Sequence, residues 1–415
     1  MGKYVCRLIA VLLSFVLFTG GYPVYAETKE TEETAEKKEP GSLYSKACAL
    51  VDGESGRVLY GREEQTPLPN ASTTKILTCI LALENGQPEE LVTFSAKAAA
   101  QPKVHLGAKE GEKFALLDLL YGLMLESYND CAYAIAEQVG GSVEAFADMM
   151  NEKAKEIGCT DSHFVTPNGL DAKDEEGEHH TTAADLCRIM AYCTWDSPKS
   201  ADFLAITRAK NHSFQNVNGT EYSVCNKNVF LDMMDCALSG KTGYTAKAGY
   251  CYVAAAEEGG RRFCIALLGC GWPNHKNYKW EDAKKLFQFG LDNYHLYQGT
   301  ESAFELSPVQ IGCGYRRGTL SEWGTRTKLA LSVACDQKKM TFLKADWDQA
   351  EIRKEMTELV TLPVQKGKKL GKISYCINGE TIYSFAICAG EDVYAWDFDT
   401  FLKAVWKEFF LGQIR

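Results

Sequence analysis

The stretch Ser72-Thr-Thr-Lys-Ile-Leu-Thr-Cys-Ile-Leu-Ala-Leu-Glu-Asn-Gly86 decides how this chain is read. Residues Ile76 to Leu83 are apolar almost all round, the pattern of a helix buried inside a domain, and Asn85-Gly86 ahead of Pro88 supplies a C-terminal stop. On such a helix Ser72 and Lys75, three residues apart, share one face within hydrogen-bonding reach. A serine hydroxyl is a poor nucleophile until a base takes its proton. A lysine can be that base only where desolvation or a neighbouring cation keeps it neutral for part of the time. Ser-x-x-Lys alone recurs by chance in many chains, so its weight comes from two further motifs.

Ser127-Tyr-Asn129 follows the apolar stretch Phe114 to Leu125 and precedes a helical run, Cys131 to Val139. It is expected on a tight connection between helices, where a hydroxyl and an amide can face a cleft. Lys241-Thr-Gly243 opens a segment of strand formers, Tyr250 to Ala255, followed after Glu257-Glu-Gly-Gly-Arg-Arg262 by the strand Phe263 to Leu268. An edge strand there offers a backbone ladder to an extended peptide, while Lys241 and Thr242 receive a carboxylate. A phosphate loop at Gly240-Lys-Thr is excluded, because Asp235 stands where its first glycine belongs.

With these three motifs the chain resembles the low-molecular-mass penicillin-binding proteins that act as serine D-alanyl-D-alanine carboxypeptidases. Gly240-Lys-Thr-Gly-Tyr-Thr245 with Ala248-Gly-Tyr250 is similar to the family's extended third motif. Phe164-Val-Thr-Pro-Asn-Gly-Leu-Asp171 with His180-Thr-Thr-Ala183 is similar to its central loop. The resemblance implies that Ser72 attacks the carbonyl between two D-alanines, with Lys75 as general base and Ser127 relaying the proton to the leaving amine. It implies that Asn129 holds the substrate amide and that Lys241, Thr242, Gly243 and Tyr244 bind the terminal residue, the oxyanion lying between the N–H groups of Ser72 and Tyr244. Peptidoglycan stem peptides are the implied substrates and β-lactams the implied covalent inhibitors, with neither cofactor nor metal. One departure is Tyr128, where the family usually has a small residue; its bulk is expected at the cleft wall.

Two other functions fit parts of this pattern. A class A β-lactamase drives water onto the acyl-enzyme with a glutamate on the central loop, but Thr166-Pro-Asn-Gly-Leu-Asp171 contains no Glu-x-x-x-Asn. A penicillin sensor or scaffold would keep the pocket without turnover.

Beyond the motifs, the sequence reads as five segments. Residues 1–26 carry Lys3 and Arg7, an apolar run from Leu8 to Phe18 and the ending Val24-Tyr-Ala26, as in a secretory signal peptide. Residues 27–43 are rich in Glu, Lys and Thr and are expected to form a disordered linker. Residues 44–300 mix helical and strand patterns, from the hairpin-like Ala47–Tyr60 to the amphipathic Glu281–Tyr294, and suit an antiparallel sheet packed with helices. The fold class is therefore α+β, with a β-lactamase/transpeptidase-like catalytic domain by resemblance. Residues 301–392 suggest a small all-β domain, with strands at Lys328–Val333 and Thr381–Ile387 and turns at Asp336–Lys339 and Asn378-Gly379. Residues 393–415 suggest an amphipathic helix lying on a membrane surface, its stripe made by Phe398, Phe401, Leu402, Val405, Trp406, Phe409 and Phe410.

The formal net charge of −10 becomes −12 once Lys3 and Arg7 leave with the signal, which disfavours nucleic acid as a partner. Sixteen cysteines are present, and without Cys6 the remaining fifteen cannot all pair within one chain. Many sit in apolar runs as small hydrophobes, which in an exported protein points to a reducing habitat. No Cys-x-x-Cys or His-Glu-x-x-His spacing suggests zinc, and His179-His180 is expected to serve loop structure near the cleft.

Overall fold

Continuous apolar runs build the central sheet. The structure is a computed structural model that describes residues 36–299, 304, 306–316, 327–334, 340–357 and 360–411. The expected signal peptide, residues 27–35 of the linker and the expected turn at Asp336–Lys339 lie outside the described residues. The fold is α+β and divides into two units, Lys37–Leu296 with Phe342–Ala345, and Tyr297–Thr341 with Asp346–Arg415.

In the first unit, β1 (Ala47–Asp52), β2 (Val58–Arg62), β3 (Ala237–Thr245), β4 (Gly249–Glu258) and β5 (Arg261–Leu268) form one antiparallel sheet in the order β2-β1-β5-β4-β3. Its central strands do not alternate polar with apolar residues because both faces are covered. One face, with Ala49, Val51, Val253, Ala255 and Ala266, belongs to the main core. There α3 (Ala183–Ala191) packs on it, and α1 (Lys75–Asn85) and α2 (Asn129–Gly140) contribute to the same core. The opposite face carries Leu50 and Phe263 under α4 (Tyr278–Asn293), so close that a Cβ at Gly290 would come 2.9 Å from the Phe263 ring.

The core helix α1 buries Ile76, Leu77, Ile80 and Leu81 together with one amino group, Lys75, all at most 2% exposed. Each large aliphatic side chain contributes about 1.5–3 kcal/mol on burial. Four of them outweigh the several kcal/mol that even a charged lysine would cost there, so the helix tolerates Lys75 at its first position.

Part of the expected linker is anchored rather than free. Lys38 Nζ donates to Asn293 Oδ1 at 3.0 Å, Lys285 Nζ to the carbonyl of Ser42 at 2.9 Å, and the N–H of Tyr44 to Asp282 at 2.8 Å. Residues 38–44 thus run along α4 without regular secondary structure. Composition misses this because the anchors are single side chains on a helix some 240 residues away.

In the second unit, β6 (Leu331–Ala334), β7 (Ala350–Met356), β8 (Lys369–Ile377) and β9 (Glu380–Ala389) form an antiparallel sheet ordered β6-β9-β8-β7. Asn378 and Gly379 join β8 to β9 with φ of 51° and 85°, the left-handed pair that a two-residue hairpin of matching twist requires. The expected strand Lys328–Val333 is split. Lys328–Leu329 pairs with Val309–Gln310, whereas Leu331–Ala334 pairs with β9. Between them the carbonyl of Ala330 accepts from the Gly390 N–H at 2.8 Å. The last described element, α5 (Phe398–Leu411), is the helix expected from the C-terminal stripe.

Candidate active site

Ser72 stands on a 3-10 turn, Ala71–Thr74, and Lys75 is the first residue of α1. Sequence periodicity places both on one α-helix; the tighter turn instead eclipses residues i and i+3. Lys75 Nζ accordingly lies 2.8 Å from Ser72 Oγ. The turn is held by side chains that reasoning from motifs passes over. Ala71 has φ +50°. The buried Asn70 donates through Nδ2 to Thr73 Oγ1 at 3.1 Å and Thr74 Oγ1 at 2.9 Å, and Thr74 Oγ1 donates to the carbonyl of Ala71 at 2.9 Å.

Lys75 is 0% exposed, and its Nζ faces three acceptors: Ser72 Oγ, Asn129 Oδ1 at 2.9 Å and the carbonyl of Asn168 at 2.8 Å. Burial pushes its pKa well below the ordinary lysine value, and the charge of Lys241 pushes it the same way. A neutral amine can still donate to Asn129 and Asn168 while turning its lone pair to the serine hydroxyl. That is the state a general base needs.

Ser127 follows a wide helical turn, Gly122–Glu126, and adopts φ +67°. Widened turns of this kind recur at functional sites. Its Oγ accepts from Lys241 Nζ at 2.9 Å, and the same ammonium reaches the carbonyl of Thr242 at 2.8 Å. Lys241 is 3% exposed, and burial lowers its pKa to about 7. Asn129 opens α2. Its Nδ2 donates to the carbonyl of Pro102 at 3.0 Å, which fixes the orientation of the amide at the edge of the cleft.

Lys241, Thr242, Gly243 and Tyr244 lie on β3, an edge strand of the sheet. No helix follows the glycine and lysine, as a phosphate loop would demand. Tyr244 stands opposite Tyr250, whose N–H and C=O are used on the far side by Gly271 and Cys270. The Tyr244–Tyr250 pair is therefore non-hydrogen-bonded, and the N–H of Tyr244 points from the free edge into the cleft. Gly243 permits the approach of β3 to the Ser72 turn, since a Cβ there would lie 2.9 Å from the Ser72 nitrogen.

These groups surround a cleft of about 430 Å³ lined by Ser72, Ser127, Asn129, Lys241, Thr242, Gly243 and Tyr244 among others, with Lys75 behind Ser72. Tyr128 is not in its wall. Its backbone is extended and its half-buried ring lies beside Gly122 and packs against the main core instead of lining the cleft as expected.

Several supports were not legible as motifs. Asp130, 1% exposed, accepts the N–H groups of Leu106 and Gly107 at 2.8 and 2.9 Å and pins the segment that flanks Asn129. His179 is held neutral by burial, its pKa lowered to about 3. Its Nδ1 accepts from the Val165 N–H at 3.0 Å, so Nε2 carries the proton and donates to Thr74 Oγ1 at 2.9 Å. The adjacency of Asp130 to the second motif and the run His179-His180-Thr-Thr were the available signals. Among the described residues, the fourteen cysteines are all unpaired, and no carboxylate hydrogen-bonds Ser72 or Lys75.

Comparison with known proteins places this arrangement in a family. The chain is 27% identical over 97% of its length to the D-alanyl-D-alanine carboxypeptidase DacF of Bacillus subtilis, covering 99% of that protein. It is 34% identical over 58% of its length to DacB2 of Mycobacterium tuberculosis, a D-alanyl-D-alanine carboxypeptidase, covering 80% of it. Penicillin-binding protein 5 of Haemophilus influenzae shares the fold, with a TM-score of 0.66 at 24% identity over 86% of this chain and all of that one. The family model described as D-alanyl-D-alanine carboxypeptidase matches residues 32–271, a span holding all three motifs, and the chain belongs to that family.

Proposed function

We propose that this protein is a serine D-alanyl-D-alanine carboxypeptidase that trims peptidoglycan stem peptides through an acyl-enzyme on Ser72. One observation carries the reading: Ser72 Oγ lies 2.8 Å from the buried amine of Lys75, and the second hydroxyl–lysine pair, Ser127 with Lys241, lines the same cleft. Lys75 takes the proton of Ser72 as its oxygen attacks the carbonyl between the two D-alanines. The oxyanion is received by the N–H groups of Ser72 and Tyr244, a kind of donor worth about 10²- to 10³-fold in rate. Ser127 passes a proton to the departing amine, the carboxylate of that D-alanine being held by Lys241 and Thr242. Water then cleaves the ester, giving a peptide one residue shorter. β-Lactams enter the same path as far as the acyl-enzyme. The test is D-alanine release from a peptide ending in D-Ala-D-Ala, which Ser72→Ala should abolish; release undiminished in the variant would refute the assignment.

The same reading extends to where the enzyme works. An amino-terminal signal at 1–26 would deliver it outside the cytoplasm, as the substrate requires. Among the described residues no helix is long and apolar enough to cross a membrane. Phe398, Leu402 and Trp406, four residues apart on α5 and 61%, 43% and 59% exposed, suit attachment to the surface of one. Residues 44–300 would form the catalytic domain and 301–392 a small all-β domain that carries no catalytic group.

A further inference from the structure

The cleft carries a charge opposite to that of the chain. Lys103, Lys227, Lys241 and Lys279 line it with one carboxylate, Glu126, in a protein of formal net charge −10. Three of these lysines are engaged: Lys227 pairs with Glu126 at 3.2 Å, Lys241 bonds Ser127, and Lys279 lies 4.8 and 4.6 Å from the ring centres of Tyr250 and Trp280. Lys103 has neither an ion pair nor a hydrogen bond among the described residues.

Its position is nevertheless fixed. The carbonyls on either side of it, Pro102 and Val104, accept from Asn129 Nδ2 at 3.0 Å and from the Asn129 N–H at 2.8 Å. Asp130 then ties down Leu106 and Gly107. The backbone of Lys103 is thus clamped to the residue that receives the acyl half of the substrate, on the Asn129 side of the cleft. An ammonium on a fixed backbone loses less freedom in pairing than one on a mobile loop.

We propose that Lys103 binds a free carboxylate on the acyl half of the stem peptide, so that the enzyme selects stems whose carboxylates are not amidated. The inference rests on the carboxypeptidase reading above. Stem peptides offer such a carboxylate in two places, on the γ-linked D-glutamate at the second residue and on diaminopimelate where that is the third. Either can be masked as an amide.

The test uses the full chain and four peptides ending in D-Ala-D-Ala: a diaminopimelate pentapeptide with both carboxylates free, the same peptide amidated at residue two, the same amidated at residue three, and a short neutral acetylated peptide. Amidation at one position should lower kcat/KM about three- to fivefold, as expected for a partly exposed ion pair, and the sensitive position names the source. Lys103→Ala should bring the ratio of free to amidated peptide near one, Lys103→Arg should keep it, and Lys103→Glu should invert it, with penicillin labelling reporting that each variant is folded. Equal rates for free and amidated peptides in the parent protein would overturn the proposal. So would a preference that survives Lys103→Ala, which would assign it to the field of the whole cleft. Failure of the carboxypeptidase reading looks different, with no D-alanine from any of the four.

Discussion

The carbonyl oxygen of Asn168 accepts a hydrogen bond from Lys75 Nζ at 2.8 Å across 93 residues of sequence. A backbone oxygen cannot be removed by substitution, so this contact is tested through the residue that positions it. Gly169 has φ +80°, and a Cβ there would lie 1.9 Å from the carbonyl oxygen of Ala71. Gly169→Ala should push the central loop off the nucleophile turn, costing about 1–3 kcal/mol of stability and slowing acylation of Ser72 at least tenfold. Thermal unfolding and the rate of penicillin labelling read the two effects; unchanged labelling would show that the loop contact does not hold Lys75.

The pH profile should be bell-shaped. The base form of Lys75 grows as pH rises, while Lys241 holds its charge only below about 7 in the free enzyme. Since kcat/KM reports the free enzyme, it should fall above pH 7 for substrates ending in a carboxylate. Lys241→Arg, always charged, should move that descending limb to higher pH. A descending limb unmoved by the arginine would assign it elsewhere.

The same two lysines set a slope in stability. Both bind protons more tightly in the unfolded chain, where the ordinary value is 10.5. For Lys241 stability therefore rises with pH from about 7 to 10.5, and the full penalty of burying the cation is felt below 7. Lys241→Met should flatten this slope in denaturant titrations at pH 7 and pH 9. An unaltered slope would mean that Lys241 is charged in the fold.

His179 works in the acid range. Its folded pKa of about 3 lies below the ordinary 6.5, so its contribution is complete above 6.5 and is lost as pH falls toward 3. About 2 kcal/mol should have gone by pH 5. His179→Asn should be less stable at pH 7 and should show a smaller loss between pH 7 and pH 5; an identical loss would move the acid sensitivity to other groups.

Penicillin should acylate Ser72 and leave slowly. No carboxylate hydrogen-bonds Ser72 or Lys75 among the described residues to drive water onto the ester. Mass spectrometry of the protein after removal of free drug should show a persistent adduct that is absent from Ser72→Ala. Rapid turnover of the drug would restore the β-lactamase reading.

Attachment to a membrane surface is checked by co-sedimentation of the mature protein with anionic lipid vesicles. Replacing Phe398, Leu402 and Trp406 together by serine should leave it in the supernatant with D-alanine release intact, because the described residues that line the cleft all belong to the first unit. Equal sedimentation of parent and variant would dismiss the helix as the anchor.

The sequence by itself determined the chemistry and the kind of fold. Ser72-Thr-Thr-Lys75, Ser127-Tyr-Asn129 and Lys241-Thr-Gly243 name the candidate reacting groups that the fold brings to one cleft, because spacing within a turn or along a strand is a local property. The apolar runs Ile76–Leu83 and Phe263–Leu268 mark buried elements for the same reason. The hairpin at Asn378-Gly379 was legible because few residue pairs accept two positive φ angles.

Only the tertiary structure decided what surrounds those groups. The carbonyl of Asn168 on Lys75, His179 under Thr74, the clamp of Asp130 on the segment after Lys103, and the turning of Tyr128 away from the cleft all join residues far apart in the chain or depend on a local backbone angle. Periodicity assigns Ser72 to a helix, but it stands on a 3-10 turn, since the positive φ of Ala71 and the hydrogen bonds of Asn70 override periodicity there. A motif specifies which atoms react. Packing against distant backbone, which leaves no mark in the spacing of residues, fixes the distances and the desolvation that the proposed base, Lys75, requires.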